Sequence, residues 1–157
     1  MKVKYYDLEN KRVFVTGGGS GIGASIVEHF CEQGSEVYFI DINVSESEKL
    51  IEEIKNKKYS IPTFIECDLL NIKQLQKIIA DIIDQKGPIN ILINNAANDT
   101  RHKIDDVTEE YWNERINVNL RHFFFTVQSV KKSMIDNGGG AIINMGSTSW
   151  MVGQGGM

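Results

Sequence analysis

Gly17-Gly18-Gly19-Ser20-Gly21-Ile22-Gly23 places five glycines among seven residues, directly after the apolar run Val13-Phe14-Val15-Thr16. The segment that follows, Ala24-Ser25-Ile26-Val27-Glu28-His29-Phe30, has helical spacing. A strand, a glycine turn and a helix in that order form an anion site. Glycines let backbone N–H groups approach a pyrophosphate and supply positive φ, while the helix start adds unpaired N–H groups and a positive dipole end. A second residue with a chemical task is Asp41, which ends the next apolar run, Glu36-Val37-Tyr38-Phe39-Ile40, eighteen residues beyond Gly23. A carboxylate there can accept hydrogen bonds from an adenosine ribose and repels a 2′-phosphate, so NAD is favoured over NADP. Taken singly, the two features also have plainer readings: an ordinary glycine-rich loop, and an acid that merely ends a strand.

The elements that must position these residues can be read from apolar periodicity. Strands are expected over 12–16, 36–40, 62–67, 89–93 and 141–145, and helices over 22–33, 45–58, 72–86 and 108–136. Thr108 can cap the last helix, Glu109 and Glu110 favour its positive end, and Asn137-Gly138-Gly139-Gly140 stops it. Its buried stripe is expected at Ile116, Leu120, Phe123, Val127, Val130 and Met134, with Asn119 beside the stripe. Strands that alternate with helices and read as continuous apolar runs indicate a parallel sheet covered on both faces, an α/β doubly wound fold in one domain spanning 1–157.

Composition narrows the function. The 157 residues are 41% apolar and 24% charged with two prolines, a globular composition. A net charge of −4 argues against a broad nucleic-acid surface. No apolar stretch approaches the ~20 residues that cross a bilayer, and residues 1–10 hold no signal-peptide core, so a cytoplasmic protein is expected. Cys31 and Cys67 read as small core residues, and no histidine has a second ligand at metal-binding spacing. His29 and His122 read as packing or surface residues of helices.

The glycine spacing, Thr16-Gly17-x-x-x-Gly21-Ile22-Gly23, departs from Gly-x-Gly-x-x-Gly and resembles the cofactor motif of the short-chain dehydrogenases/reductases. Asp68-Leu69, Asn94-Asn95-Ala96-Ala97, Asn119 and Ser147 follow in the family's order, so the resemblance runs along the whole chain. It implies a Rossmann-type sheet and cofactor contacts from Gly17, Ser20, Gly21, Ile22, Gly23, Asp41, Asp68, Leu69 and Asn95. It further implies that Ser147 hydrogen-bonds the substrate's reacting oxygen, that Asn119 holds a water of the proton relay, and that the 108–136 helix forms a homo-oligomer interface. A narrower set, Asn95-Ala96-Ala97-Asn98-Asp99-x-Arg101-His102, Tyr111-Trp112-x-Glu114-Arg115 and Gly146-Ser147-x-Ser149-Trp150, resembles the branch of NAD-dependent aldose (xylose-type) 1-dehydrogenases. That resemblance implies a sugar or other secondary alcohol as substrate, with Asn98, Arg101, His102 and Trp150 at the substrate. A surface loop making local ion pairs is the alternative for Arg101 and His102.

One family element is missing. The Tyr-x-x-x-Lys pair expected beyond the serine does not occur, since no tyrosine follows Tyr111 and no lysine follows Lys132. The expectation is therefore a chain cut before that pair, carrying the first five strands only, with its fifth strand an open edge. Such a chain should bind nucleotide weakly and should not turn over alone. The competing readings are a non-catalytic nucleotide-binding sensor or regulatory module, and an interaction protein using the long helix.

Overall fold

A computed structural model of the chain describes residues 3–149 and 151–152. Among the described residues, five strands form one parallel sheet: β1 (Arg12–Thr16), β2 (Glu36–Asp41), β3 (Thr63–Glu66), β4 (Ile91–Asn94) and β5 (Ala141–Asn144). Their spatial order is β3-β2-β1-β4-β5. The chain winds outward from β1 through β2 and β3, then returns to the other side of β1, so the direction of winding reverses between β1 and β4. A crevice opens at such a reversal, beyond the carboxyl ends of the strands.

Side chains alternate along each strand, which divides the core in two. Phe14, Tyr38, Ile40 and Leu92 meet α3 (Ile72–Lys86) and α5 (His122–Asp136) on one face. Val13, Val15, Val37, Phe39 and Ile93 meet α1 (Gly21–Glu32) and α2 (Val44–Asn56) on the other. Because both faces are covered, the central strands read as unbroken apolar runs rather than alternating ones. Cys31 and Cys67 sit in these two clusters as free thiols, and burial pushes them up to about 12 and about 11.

The caps follow the chemistry expected of their residues. Asn43 accepts from Glu46 N–H at 3.2 Å and Asn71 from Gln74 N–H at 3.1 Å. Thr108 accepts from Tyr111 N–H at 3.2 Å and so caps α4 (Glu109–Ile116).

The long helix differs from the expectation. Between α4 and α5 lies a π turn, Asn117–Arg121, through which the backbone stays helical. The buried stripe also differs: Ile116 is 41% and Leu120 57% exposed, while His122, Thr126, Val130 and Met134 are buried. Apolar spacing marks a face but not what covers it. Only the α5 portion packs against α3 and β4, and α4 buries none of its residues. Trp112, Ile116, Leu120 and Phe124 form instead an exposed apolar stripe at four-residue intervals. β5 is an edge among the described residues, and all four of its residues are exposed.

Candidate active site

The glycine turn sits at the reversal between β1 and β4, and close packing dictates its composition. A Cβ on Gly17 would lie 2.7 Å from Ala96 Cα, and one on Gly18 would lie 2.6 Å from Phe39 Cβ. A Cβ on Gly23 would lie 1.8 Å from Gly17 O and 2.6 Å from Asn95 Nδ2, so α1 can approach the turn only with glycine there. Gly17 and Gly21 have φ of +64° and +54°, and the position a Gly21 Cβ would take is open. Ser20 occupies the N-cap in extended conformation, yet its hydroxyl makes no capping bond, unlike the caps of α2, α3 and α4. The first-turn N–H groups of α1 thus lack the side-chain partner that α2, α3 and α4 supply. Ile22, 66% exposed, projects from the same turn.

Asp41 at the end of β2 is tied into the turn. Its Oδ2 accepts from Gly19 N–H and its Oδ1 from Asn43 N–H, both at 2.9 Å. A carboxylate has about four acceptor positions, so each oxygen retains one for a further donor. Asp68 is exposed and its Oδ1 accepts from Leu70 N–H at 2.8 Å, while Leu69 is buried in the core against α3.

Asn95 bridges the two sides of the crevice. Its Nδ2 donates to Gly17 O at 2.9 Å and to Thr16 O at 3.2 Å. Thr16 answers from β1: its hydroxyl accepts from the N–H groups of Asn95 and Ala96 at 3.0 and 3.1 Å. Beneath lies a polar line that sequence reading missed. His122, fully buried, donates from Nδ1 to Val118 O at 2.7 Å, which leaves Nε2 bare and facing the Thr16 hydroxyl at 3.4 Å. Desolvation lowers this imidazole to about 4. Thr126 donates to Asn94 Oδ1, and Asn94 Nδ2 donates to Asn144 Oδ1, each at 2.8 Å. Asparagines ending both apolar runs, at 94 and 144, were the available signal.

Asn119, in the π turn, clamps a loop rather than standing free. Its Oδ1 accepts from Asn98 N–H at 2.7 Å and its Nδ2 donates to Asn98 O at 3.0 Å. Asn98 Oδ1 accepts from the Thr100 N–H and hydroxyl. His102 Nδ1 lies 3.0 Å from the Tyr111 hydroxyl, and Arg101 is exposed. Ser147 is exposed beyond β5, and its hydroxyl meets Ser149 Oγ at 2.7 Å. Trp150 lies outside the described residues. The fold thus joins Gly17, Gly23 and Asn95 in one contact, Gly19 with Asp41 in a second, and Asn119 with Asn98 in a third. Ser147 and Asp68 make only local bonds among the described residues.

A nucleotide's diphosphate fits this set. The turn is closed to side chains at Gly17, Gly18 and Gly23 but open at Gly21, and its helix start has no side-chain cap, while the carboxylate beside it has spare acceptor positions that suit the hydroxyl donors of a ribose rather than the phosphates.

Comparison with known proteins gives the family. A family model described as short chain dehydrogenase matches residues 11–157. A D-xylose 1-dehydrogenase of Caulobacter vibrioides is 48% identical over 149 residues, covering 95% of this chain and 58% of its own length. A probable galactose dehydrogenase of Rhizobium meliloti is 41% identical with the same coverage. Among solved structures, the ligand-free aldohexose dehydrogenase of Thermoplasma acidophilum is 31% identical and superposes with a TM-score of 0.78 over 92% of this chain and 52% of that one. The chain therefore spans 58% of the length of these two curated relatives.

Proposed function

The chain belongs to the short chain dehydrogenase family, and from that premise we propose that it is the nucleotide-binding portion of an oxidoreductase domain that uses NAD to oxidise a sugar or related secondary alcohol. The observation that carries the cofactor half is the Gly19–Asp41 contact at 2.9 Å, which sets a carboxylate against the glycine turn. Asp41 keeps an acceptor position on each oxygen for ribose hydroxyls and repels a 2′-phosphate. Gly17, Ser20, Gly21, Ile22 and Gly23 hold the diphosphate with backbone N–H groups, Asp68 and the main chain of Leu69 lie beside the adenine, and Asn95 keeps the crevice walls in register. Bound nicotinamide dinucleotide supplies the hydride acceptor.

On the substrate side, Ser147 donates to the reacting oxygen and Asn119 holds a water of the proton relay. Asn98, Arg101, His102 and Trp150 read the neighbouring hydroxyls. The relatives named above, a xylose, a galactose and an aldohexose dehydrogenase, support the sugar class. Residues 1–157 contain no Tyr-x-x-x-Lys pair beyond Ser147, so in our reading they bind nucleotide without turning over. The exposed stripe Trp112, Ile116, Leu120 and Phe124 supports homo-oligomerisation through α4 and α5. No described helix is long and apolar enough to cross a membrane.

An NMR titration of the 157-residue chain with NAD and then NADP tests the cofactor half. Amide shifts are expected at Gly17–Gly23, Asp41, Asp68 and Asn95, saturating at lower concentration with NAD, and Asp41→Ser should narrow that preference. Tighter NADP binding, or shifts confined to other surfaces, would overturn it. Reduction of NAD with D-xylose by a preparation of intact mass equal to 157 residues would refute the inactive-alone reading.

A further inference from the structure

Tyr111, Arg115 and Asn119 recur at four-residue intervals along the helix that runs from α4 into the π turn, so they share one face. All three reach the main chain of one loop. Asn119 holds both main-chain groups of Asn98, and Arg115 Nη1 donates to the same Asn98 O at 3.2 Å. Tyr111 Oη donates to Thr100 O at 3.3 Å. The His102 ring packs edge-on against Tyr111 at 5.1 Å between centroids, with Nδ1 3.0 Å from the hydroxyl. Both hydroxyl contacts are satisfied at once when Tyr111 donates to Thr100 O and accepts from His102 Nδ1–H. Arg115 lies over the Tyr111 ring at 4.6 Å, so the two anchors also brace each other.

The loop has little else to order it. Residues 97–102 form no secondary structure, and none of their side chains is buried. With no apolar anchor, its conformation rests on these polar ties, which lie between residues nine to twenty-one positions apart.

We propose that Tyr111 and Arg115 are positioning residues that latch the 98–102 loop against the helix and thereby fix the orientation in which Asp99, Arg101 and His102 meet a polyhydroxylated substrate. This rests on the sugar reading above. A site that discriminates hydroxyl positions does so through hydrogen-bonding groups, and that discrimination survives only when the groups are held in place before the ligand arrives. Arg115 and Tyr111 touch only the loop and each other in these contacts, so they act through it.

The loop carries its own reporter, because Arg101 and Lys103 are exposed tryptic sites flanking His102. Limited trypsin digestion of the 157-residue chain, followed by mass spectrometry, reads the population of the opened loop. Tyr111→Phe, which deletes one oxygen and keeps the ring, and Arg115→Met should each raise cleavage after Arg101 and Lys103 roughly fivefold. Cleavage after Lys131 and Lys132 in α5 should stay unchanged. Arg115→Lys, which can still donate to Asn98 O, should restore much of the protection. Unchanged loop cleavage in both variants, a rise equal at all sites, or failure of lysine to restore protection would each overturn the proposal. The assay contains neither nucleotide nor sugar, so its failure leaves the sugar reading standing, and absence of sugar turnover leaves the latch result intact.

Discussion

Replacing Gly23 by alanine tests whether close packing at the crevice holds the glycine turn in shape. The added Cβ would lie 1.8 Å from Gly17 O, well inside the 3.4 Å at which ordinary contact begins, and the obstructing atom is backbone that cannot rotate away. It would also lie 2.6 Å from Asn95 Nδ2, the donor that ties Gly17 O across the crevice at 2.9 Å. Relief requires α1 to back away from the turn, Asn95 to withdraw, or both. Overpacking of this kind costs about 1–3 kcal/mol. Each lost hydrogen bond adds roughly 1 kcal/mol, and Asn95 Nδ2 makes two. Alanine's better helix propensity returns only about 1 kcal/mol, so the clash wins and, with both bonds lost, the net loss is about 2–4 kcal/mol. The control is Gly21→Ala, where nothing lies within 4 Å and the cost is the positive φ alone, about 1–2 kcal/mol. Urea unfolding of both variants should rank Gly23→Ala as the more destabilised, with the larger loss of nucleotide affinity. The reverse order, or a Gly23→Ala loss below about 0.5 kcal/mol with nucleotide binding intact, would refute the reasoning.

Two further outcomes follow from the same geometry. The unfolded chain protonates His122 near 6.5 but the folded chain only at about 4. Stability is therefore whole above pH 6.5 and is lost as pH falls from 6.5 toward 4, by on the order of 3 kcal/mol. Thr16, Val118 and Phe123, the ring's neighbours, are uncharged, and denaturation across this window should show a shallower acid slope in His122→Gln; an identical slope would contradict the burial argument. On the exposed helix stripe, Phe124→Glu should shift sedimentation toward the monomer while leaving the circular dichroism spectrum unchanged. A wild-type chain that sediments as a monomer at high concentration would remove the oligomer proposal.

Much of the fold was legible in the sequence because it rests on local chemistry. Continuous apolar runs separated by helical periodicity gave the five parallel strands, and Asn43, Asn71 and Thr108 cap helices in the way their short polar side chains allow. Gly34 and Gly87 adopt positive φ at helix ends. The glycine turn and Asp41 were readable because strand, turn and helix adjoin in the chain.

Tertiary structure decided what joins across the crevice. The order β3-β2-β1-β4-β5 brings Thr16 to Asn95, 79 residues away, and His122 to Thr16, 106 residues away. No spacing rule links positions so distant, and a histidine on a helix reads the same whether its face meets solvent or a sheet. Asn119 likewise became a clamp only once the π turn and the 98–102 loop were packed together. The periodicity that placed Ile116 and Leu120 in a core was a true record of an apolar face. What it could not carry is that α5 alone reaches the sheet, leaving the α4 end of that face to solvent.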